Sequence, residues 1–349
     1  MQVLILGGTG AMGIHISKIL SSRGNKVVVT SRKPHFNANR IQYCVGNAKD
    51  PIFLSKLLQK RWDAIIDFMI WSPKEFEERY ESLLSATDQY IFTSSYRVYN
   101  DAEIITEESP RLLDTIVDEE YLKTNEYALA KARCEDLLLS HDNHNWTIVR
   151  PAVTYDGSGR FQLAVLEANE WLWRAIRNIP VALPREILDS QATMSWGGDV
   201  ATMIALLVGN QNTLGEIYTV STSEHMTWRE IASVYEEVVP LEISITPLQD
   251  FEQAHKGIYQ IRYDRMFNRV IDNTKILEVT GLTQESLSRL HDKLPAELTS
   301  YLQKHKGDSS NSSPGIQGEY DKLVGGYPSL RYVMADGPLG VARYFKHRL

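Results

Sequence analysis

Gln2-Val-Leu-Ile-Leu-Gly-Gly-Thr-Gly-Ala-Met-Gly13 carries a short apolar run, Val3 to Leu6, straight into glycines at three-residue spacing, Gly7, Gly10 and Gly13. Ile14, Ile16, Ile19 and Leu20 follow as one face of an amphipathic helix. A strand feeding a glycine turn that opens a helix brings bare backbone N–H groups against a pyrophosphate. Glycine permits the tight turn and the close approach, and the helix N-terminus favours negative charge. A glycine pattern alone can be an ordinary turn. Here strand, turn and helix follow in the required order, and the stretch predicts dinucleotide binding.

Beyond it, short apolar runs alternate with helical patterns through residue 150, which predicts an α/β fold with helices on both faces of a parallel sheet. The strands expected are Val3–Leu6, Lys26–Thr30, Ile41–Val45, Ala64–Phe68, Tyr90–Thr93 and Thr147–Val149, with helices near 12–23, 51–60, 74–86 and 119–140. Past residue 155 the rhythm loosens into helical stretches around 160–176, 199–208, 227–238 and 284–304, with strand-like pieces near 216–220 and 242–246. The organisation expected is a Rossmann-type, doubly wound core over 1–155. A mixed segment, 156–305, completes the core and forms a smaller C-terminal substrate lobe. Lys306 to Gly318, polar and rich in Gly, Ser and Pro, reads as a linker. Residues 319–349 read as a tail, docked back or partly ordered.

At 349 residues the chain is long enough for this plan. A net charge of −7 weighs against a nucleic-acid or anionic-membrane surface. No apolar run approaches the roughly eighteen residues of a membrane span, and the first apolar run is too short for a secretory leader. Cys44 and Cys134 are the two cysteines, with no spacing that suggests metal or a disulfide. A cytoplasmic setting without metal is the expectation; His141 and His144, the closest histidine pair, lie in a polar turn.

Tyr127 and Lys131 stand four residues apart within the 119–140 pattern, which puts phenol and ammonium on one helix face. A tyrosine alone titrates near about pH 10, and a neighbouring cation stabilises its phenolate, making it a usable base. The alternative is an exposed helix pair. The pair falls, however, on the helix that should cross to the sixth strand. Tyr90-Ile-Phe-Thr-Ser-Ser95 reads as a buried strand ending in hydroxyls, and ligands of open parallel sheets bind beyond such ends. Thr93, Ser94 and Ser95 would then face the cofactor; the alternative is ordinary polar residues at a strand end.

These segments together resemble the extended short-chain dehydrogenases/reductases, specifically the nucleotide-sugar epimerase/dehydratase group. The resemblance covers about residues 1–305 and rests on GGTGAMG (7–13), GNAKD (46–50), TSSYRVY (93–99), YALAK (127–131), VRPAVTYDG (149–157), WGGDVATMI (196–204) and DNTKILEVTGL (272–282). It implies that Ser95, Tyr127 and Lys131 form the catalytic set, with Lys131 also on the nicotinamide ribose. Gly7, Gly10, Ala11, Met12 and Gly13 would hold the pyrophosphate, and Asn47 and Ala48 the adenine side. Phe68, Thr93 and Pro151 would complete the cofactor site. The chain departs from the group in three places, one being Asn47 in place of the adenine-side aspartate, still able to offer an amide hydrogen bond. The fourth strand ends in the bulky Asp67-Phe-Met-Ile-Trp71 where the group has a small turn. Tyr96 and Arg97 follow Ser95 where dehydratases place an acidic pair, which disfavours water elimination.

The second strand ends Val29-Thr-Ser-Arg-Lys33 with no acid to bind a ribose 2′-hydroxyl. Ser31 and Arg32 suit a 2′-phosphate, so NADP is expected, with NAD as runner-up. The leading expectation is an epimerase or ketoreductase acting on a nucleotide-linked sugar. The resemblance also implies a homodimer paired through the Tyr127 helix and the one before it, the alternative being that the 119–140 helix is buried within one chain. The second is a non-catalytic dinucleotide-binding redox sensor or RNA-associated protein of the same fold. Trp171, Trp173 and Trp196 could stack on substrate or pack within the lobe.

Overall fold

A computed structural model describes residues 1–305 and 312–349. Seven strands, β1 (Gln2–Leu6), β2 (Lys26–Ser31), β3 (Ile41–Val45), β4 (Ala64–Asp67), β5 (Tyr90–Thr93), β6 (Trp146–Pro151) and β7 (Glu216–Val220), form one sheet. Their order is β7-β6-β5-β4-β1-β2-β3 and every neighbouring pair is parallel. The sequence order reverses between β1 and β4, so their C-terminal ends open the crevice where such sheets bind ligands.

Alternation within β1 explains the layering. Val3 and Ile5 point to one face, packing with Ile16 and Leu20 of the Gly13–Ser22 helix and with Ile204 of the Gly197–Leu207 helix. Leu4 and Leu6 point to the other, with Phe92, Leu83 and Leu138. A strand covered on both faces reads as a continuous apolar run, and Val3 to Leu6 are all fully buried.

The chain divides into two compact units, and neither is a continuous stretch. The first is Met1–Thr154, Thr193–Ser223 and Ile271–Ser288; the second is Tyr155–Ala192, Glu224–Val270 and Arg289–Leu349. The piece near 216–220 is thus an edge strand of the main sheet, in register with β6 from Glu216↔Thr147 to Val220↔Pro151. DNTKILEVTGL, matched by resemblance to a substrate-lobe signature, belongs to the first unit. Its Ile276 is fully buried in the same cluster as Val200 and Ile204.

Two expected helices break. The 74–86 pattern divides into Pro73–Glu77 and Tyr80–Ser85, and the 119–140 pattern into Glu119–Leu122 and Tyr127–Leu139. Glu126 causes the second break. It sits in extended backbone and caps the new helix, its carboxylate accepting from the Ala128 N–H at 2.8 Å.

In the second unit Val181–Leu183 pairs in parallel with Ile243–Ile245. Of the expected 306–318 linker, residues 306–311 lie outside the described residues. The rest is corrected: Pro314–Val324 is a helix, with Pro314 in its first turn, where the missing N–H costs nothing. Gly318 lets that helix approach the Gly337–Arg348 helix; a Cβ there would lie 2.4 Å from the Tyr344 carbonyl oxygen. The 319–349 stretch is therefore folded, not loose. Asp321, fully buried, faces Arg174 at 3.0 Å and accepts from the Tyr344 hydroxyl at 2.6 Å. Trp171 packs on Tyr235 with ring centroids 4.4 Å apart. Among the described residues no helix is long and apolar enough to cross a membrane.

Candidate active site

The glycine turn is built by contact as much as by conformation. Gly7 has φ +70°, and its N–H donates to Thr30 Oγ1 at 2.9 Å. A Cβ at Gly13 would lie 2.5 Å from the Gly8 carbonyl carbon, so helix and turn meet backbone to backbone. Gly8, which three-residue spacing passes over, is equally constrained: a Cβ would sit 2.6 Å from Ile5 Cγ2. The Gly-Gly doublet was its signal. A Cβ at Gly10 would meet nothing within 4 Å. The Gly13–Ser22 helix has no acidic residue in its first turn, and Met12 gives it no side-chain cap, so its positive end is left for an anion.

Beside this turn lies a cleft of about 500 Å³. It brings together Gly7, Ser31, Arg32, Asn47, Ala48 and Phe68 of the expected cofactor residues. Arg32 is exposed, whereas Ser31 is buried and its hydroxyl accepts from the Lys33 N–H at 3.2 Å. Asn47 Oδ1 is engaged by the Lys49 N–H at 3.1 Å. Gly10, Ala11, Met12 and Gly13 continue the turn from Gly7 and Thr9 but are not among the residues lining the cleft. Pro151 ends β6 and is not among the residues lining the cleft.

The helix bearing the Tyr-Lys pair closes on the strand ends. Lys131, 3% exposed, donates from Nζ to the Thr93 carbonyl at 2.6 Å and to the Met69 carbonyl at 3.2 Å. Tyr127 is the first residue of its helix, partly exposed, with the Lys131 ammonium 6.0 Å from its ring centroid. The Arg97 guanidinium stands 5.3 Å from the same centroid and pairs with Glu126 at 2.6 Å. Lys131 and a second basic group, Arg97 in its ion pair with Glu126, therefore both lie near the Tyr127 ring, one more than the sequence predicts. Glu126 beside Tyr127 was the available signal for the second. Ser95 is buried, and its hydroxyl accepts from the Arg97 N–H at 3.2 Å, starting the turn that delivers Arg97. Thr93 Oγ1 and Ser94 Oγ are buried and have no hydrogen-bond partner among the described residues. Buried hydroxyls without partners cost stability, and these two stand at the C-terminal end of β5, where open parallel sheets bind ligands.

The bulky turn after β4 has its own logic. Asp67, fully buried, accepts from Tyr90 Oη at 2.6 Å, Trp71 Nε1 at 2.8 Å and the Met69 N–H at 2.8 Å. Burial pushes its carboxyl above the usual range, and the hydrogen bonds from Tyr90 and Trp71 pull it back. The turn it fixes carries Met69, whose carbonyl receives Lys131 and whose sulfur would lie 3.0 Å from a Cβ at Gly7. Behind Lys131 the helix is fastened to β6 by the buried Arg150–Glu135 pair, with contacts of 2.9 and 2.7 Å. Cys134, one turn on, is fully buried, and burial pushes its thiol up to about 12.

Glycine turn, cleft and unpartnered hydroxyls fit a nicotinamide dinucleotide, and the comparisons agree. Residues 7–179 match the family described as NAD(P)H-binding. The UDP-glucose 4-epimerase of Thermus thermophilus, solved with NAD, superposes with a TM-score of 0.63 at 19% identity, covering 86% of this chain and 99% of that one. The UDP-glucuronic acid 4-epimerase of Bacillus cereus, solved with UDP-glucuronic acid and NAD, gives 0.62 at 17% identity, covering 87% and 100%. The chain therefore shares the fold of these NAD-bound epimerases, and its N-terminal half matches the NAD(P)H-binding family. Among curated proteins, a chloroplast stem-loop binding protein of 41 kDa from Arabidopsis thaliana is 25% identical over 249 residues. That match spans 66% of this chain and 61% of the relative.

Proposed function

We propose that this protein is an NAD(P)-dependent epimerase or ketoreductase acting on a nucleotide-linked sugar, with Ser95, Tyr127 and Lys131 as its catalytic set. One observation carries the reading: Lys131 donates to both the Thr93 and Met69 carbonyls, which ties the Tyr127 helix to the mouth beside the glycine turn. When bound, the nicotinamide accepts or returns hydride. Tyr127 takes the proton from the substrate hydroxyl, with the Lys131 ammonium 6.0 Å from its ring centroid as the cation not paired to a carboxylate. Ser95 hydrogen-bonds the substrate oxygen, and Lys131 holds the cofactor ribose. Ser31 and Arg32 favour NADP over NAD through a 2′-phosphate. The nucleotide sugars bound by the structural neighbours make UDP-glucose and UDP-glucuronic acid the substrates to try first.

Tyr127→Phe is expected to remove turnover of the accepted substrate while leaving cofactor binding intact, read by activity assay and by cofactor titration. An unchanged rate removes Tyr127 from the mechanism. Affinity for NADH equal to that for NADPH removes the role given to Arg32. Cofactor retained through purification favours epimerisation, and stoichiometric NADPH consumption favours reduction. The Arabidopsis relative, a stem-loop binding protein, favours a second reading, a dinucleotide-binding protein that associates with RNA. Retention of both Tyr127 and Lys131 argues for chemistry, and turnover decides between the two.

A further inference from the structure

We infer that the second unit holds a separate binding site for a nucleotide phosphate, in a cavity of about 630 Å³ lined by Trp173, Arg177, Arg331, Tyr332 and Arg343. All five residues belong to that unit, and none takes part in the glycine turn or its cleft. Its size falls in the range of small-molecule sites.

An aromatic wall is already assembled. Trp173 meets Tyr332 edge to face with ring centroids 5.9 Å apart, and the Arg177 guanidinium lies 4.2 Å from one centroid and 5.4 Å from the other. Arg177 also donates to the Trp173 carbonyl at 3.0 Å, so the stack is pinned to its helix. Arg331 donates to the Tyr332 hydroxyl at 2.7 Å, which holds the ring's outer edge. The same cavity includes Leu339, 78% exposed, an apolar shelf of the kind a base lies on.

The charge at this wall is not balanced locally. Arg331 and Arg343 are exposed, and neither forms an ion pair among the described residues. Asp336 is the one acidic residue lining the cavity. Residues 330–349 hold four Lys and Arg against that single Asp, in a chain whose net charge is −7. Guanidinium groups match phosphate oxygens in bidentate geometry, and aromatic faces accept a base without regard to sequence. A phosphate with an attached base satisfies both halves of the cavity; a carboxylate or a bare sugar satisfies one. A free mononucleotide and the 5′-phosphorylated end of a single strand present the same chemistry.

The test titrates full-length protein, saturated with NADPH so that the glycine cleft is filled, with AMP, adenosine and a 5′-phosphorylated oligoadenylate. Binding is followed by tryptophan fluorescence and calorimetry. AMP or the oligoadenylate is expected to bind about tenfold or more tightly than adenosine, as charge-assisted phosphate contacts require. The Arg331→Ala/Arg343→Ala variant, altered only at exposed positions, should lose about tenfold of that affinity with its NADPH affinity and circular dichroism unchanged. Tight AMP binding assigns a free nucleotide, and binding of the oligoadenylate alone assigns a strand end. Failure of both phosphorylated probes to bind overturns the site. So does binding that the double variant leaves intact, or loss of NADPH affinity in step with it. None of these outcomes depends on the proposed hydride chemistry.

Discussion

Lys131 and Arg174 are both cations buried almost completely, one in each unit, yet they are held in opposite ways. Lys131 gives its hydrogen bonds to two main-chain carbonyls, whereas Arg174 faces the Asp321 carboxylate and donates to the Pro180 carbonyl and the Gln317 side chain. Carbonyls satisfy donors without cancelling charge; a carboxylate does both. The first arrangement keeps a positive charge available at a site mouth, and the second consumes it in fastening helices together. A buried cation is thus a clue to function when its partners are neutral, and a clue to architecture when they are not.

Breaking the architectural case should have the largest effect. Asp321→Ala leaves Arg174 buried without its anion and strands the Ser329 and Tyr344 hydroxyls, so a loss of about 3–5 kcal/mol is expected in urea unfolding. Lys131→Met should act the other way round. Turnover is expected to fall by about 10²–10³-fold, the scale of losing one preorganised charge or donor, with a small change in unfolding midpoint. A large stability loss with activity preserved in the folded fraction would erase the distinction. Gly13→Ala probes the platform that both charge and cofactor need. Its Cβ would press within 2.5 Å of Gly8 backbone. Separation of turn and helix is expected to cost about 1–3 kcal/mol, visible mostly as weakened cofactor binding.

The effect that is smallest at neutral pH, and grows only as pH falls, lies in the second unit. Burial, helped by Arg265, lowers His255 to about 4 from 6.5, so the folded ring stays neutral where the unfolded chain takes up a proton. Stability should therefore fall as pH drops from 6.5 toward 4, and His255→Gln should flatten that slope in pH-dependent unfolding. A variant with the same slope as the parent would remove His255 from the pH response.

The same contrast governs what the sequence could reveal. In the first unit the strands are short apolar runs between turn signals, and β1 to β6 stand where periodicity puts them. β7 was legible as a strand-like piece near 216–220, but its place beside β6 was not, because that partner lies far back along the chain. A window of residues cannot see that pairing. Gly8 and Asp67 were missed for a related reason: their roles come from Ile5, Val29, Tyr90 and Trp71 closing around them, not from spacing. In the second unit Gly315 and Gly318 looked like linker composition, although at Gly318 the missing side chain makes room for the Tyr344 backbone. Composition reports flexibility when a glycine is exposed and closeness when it is buried, and only tertiary structure separates the two.

Cys134 turns the wall beside Lys131 into its own stopwatch. With one thiol sealed beneath that helix and Cys44 within partial reach of solvent, a disulfide reagent should consume one equivalent quickly and then wait. The second equivalent enters only as often as the helix lifts from β5 and β6. Its slow phase therefore counts those excursions, and the interval between them should lengthen when the neighbouring crevice is filled.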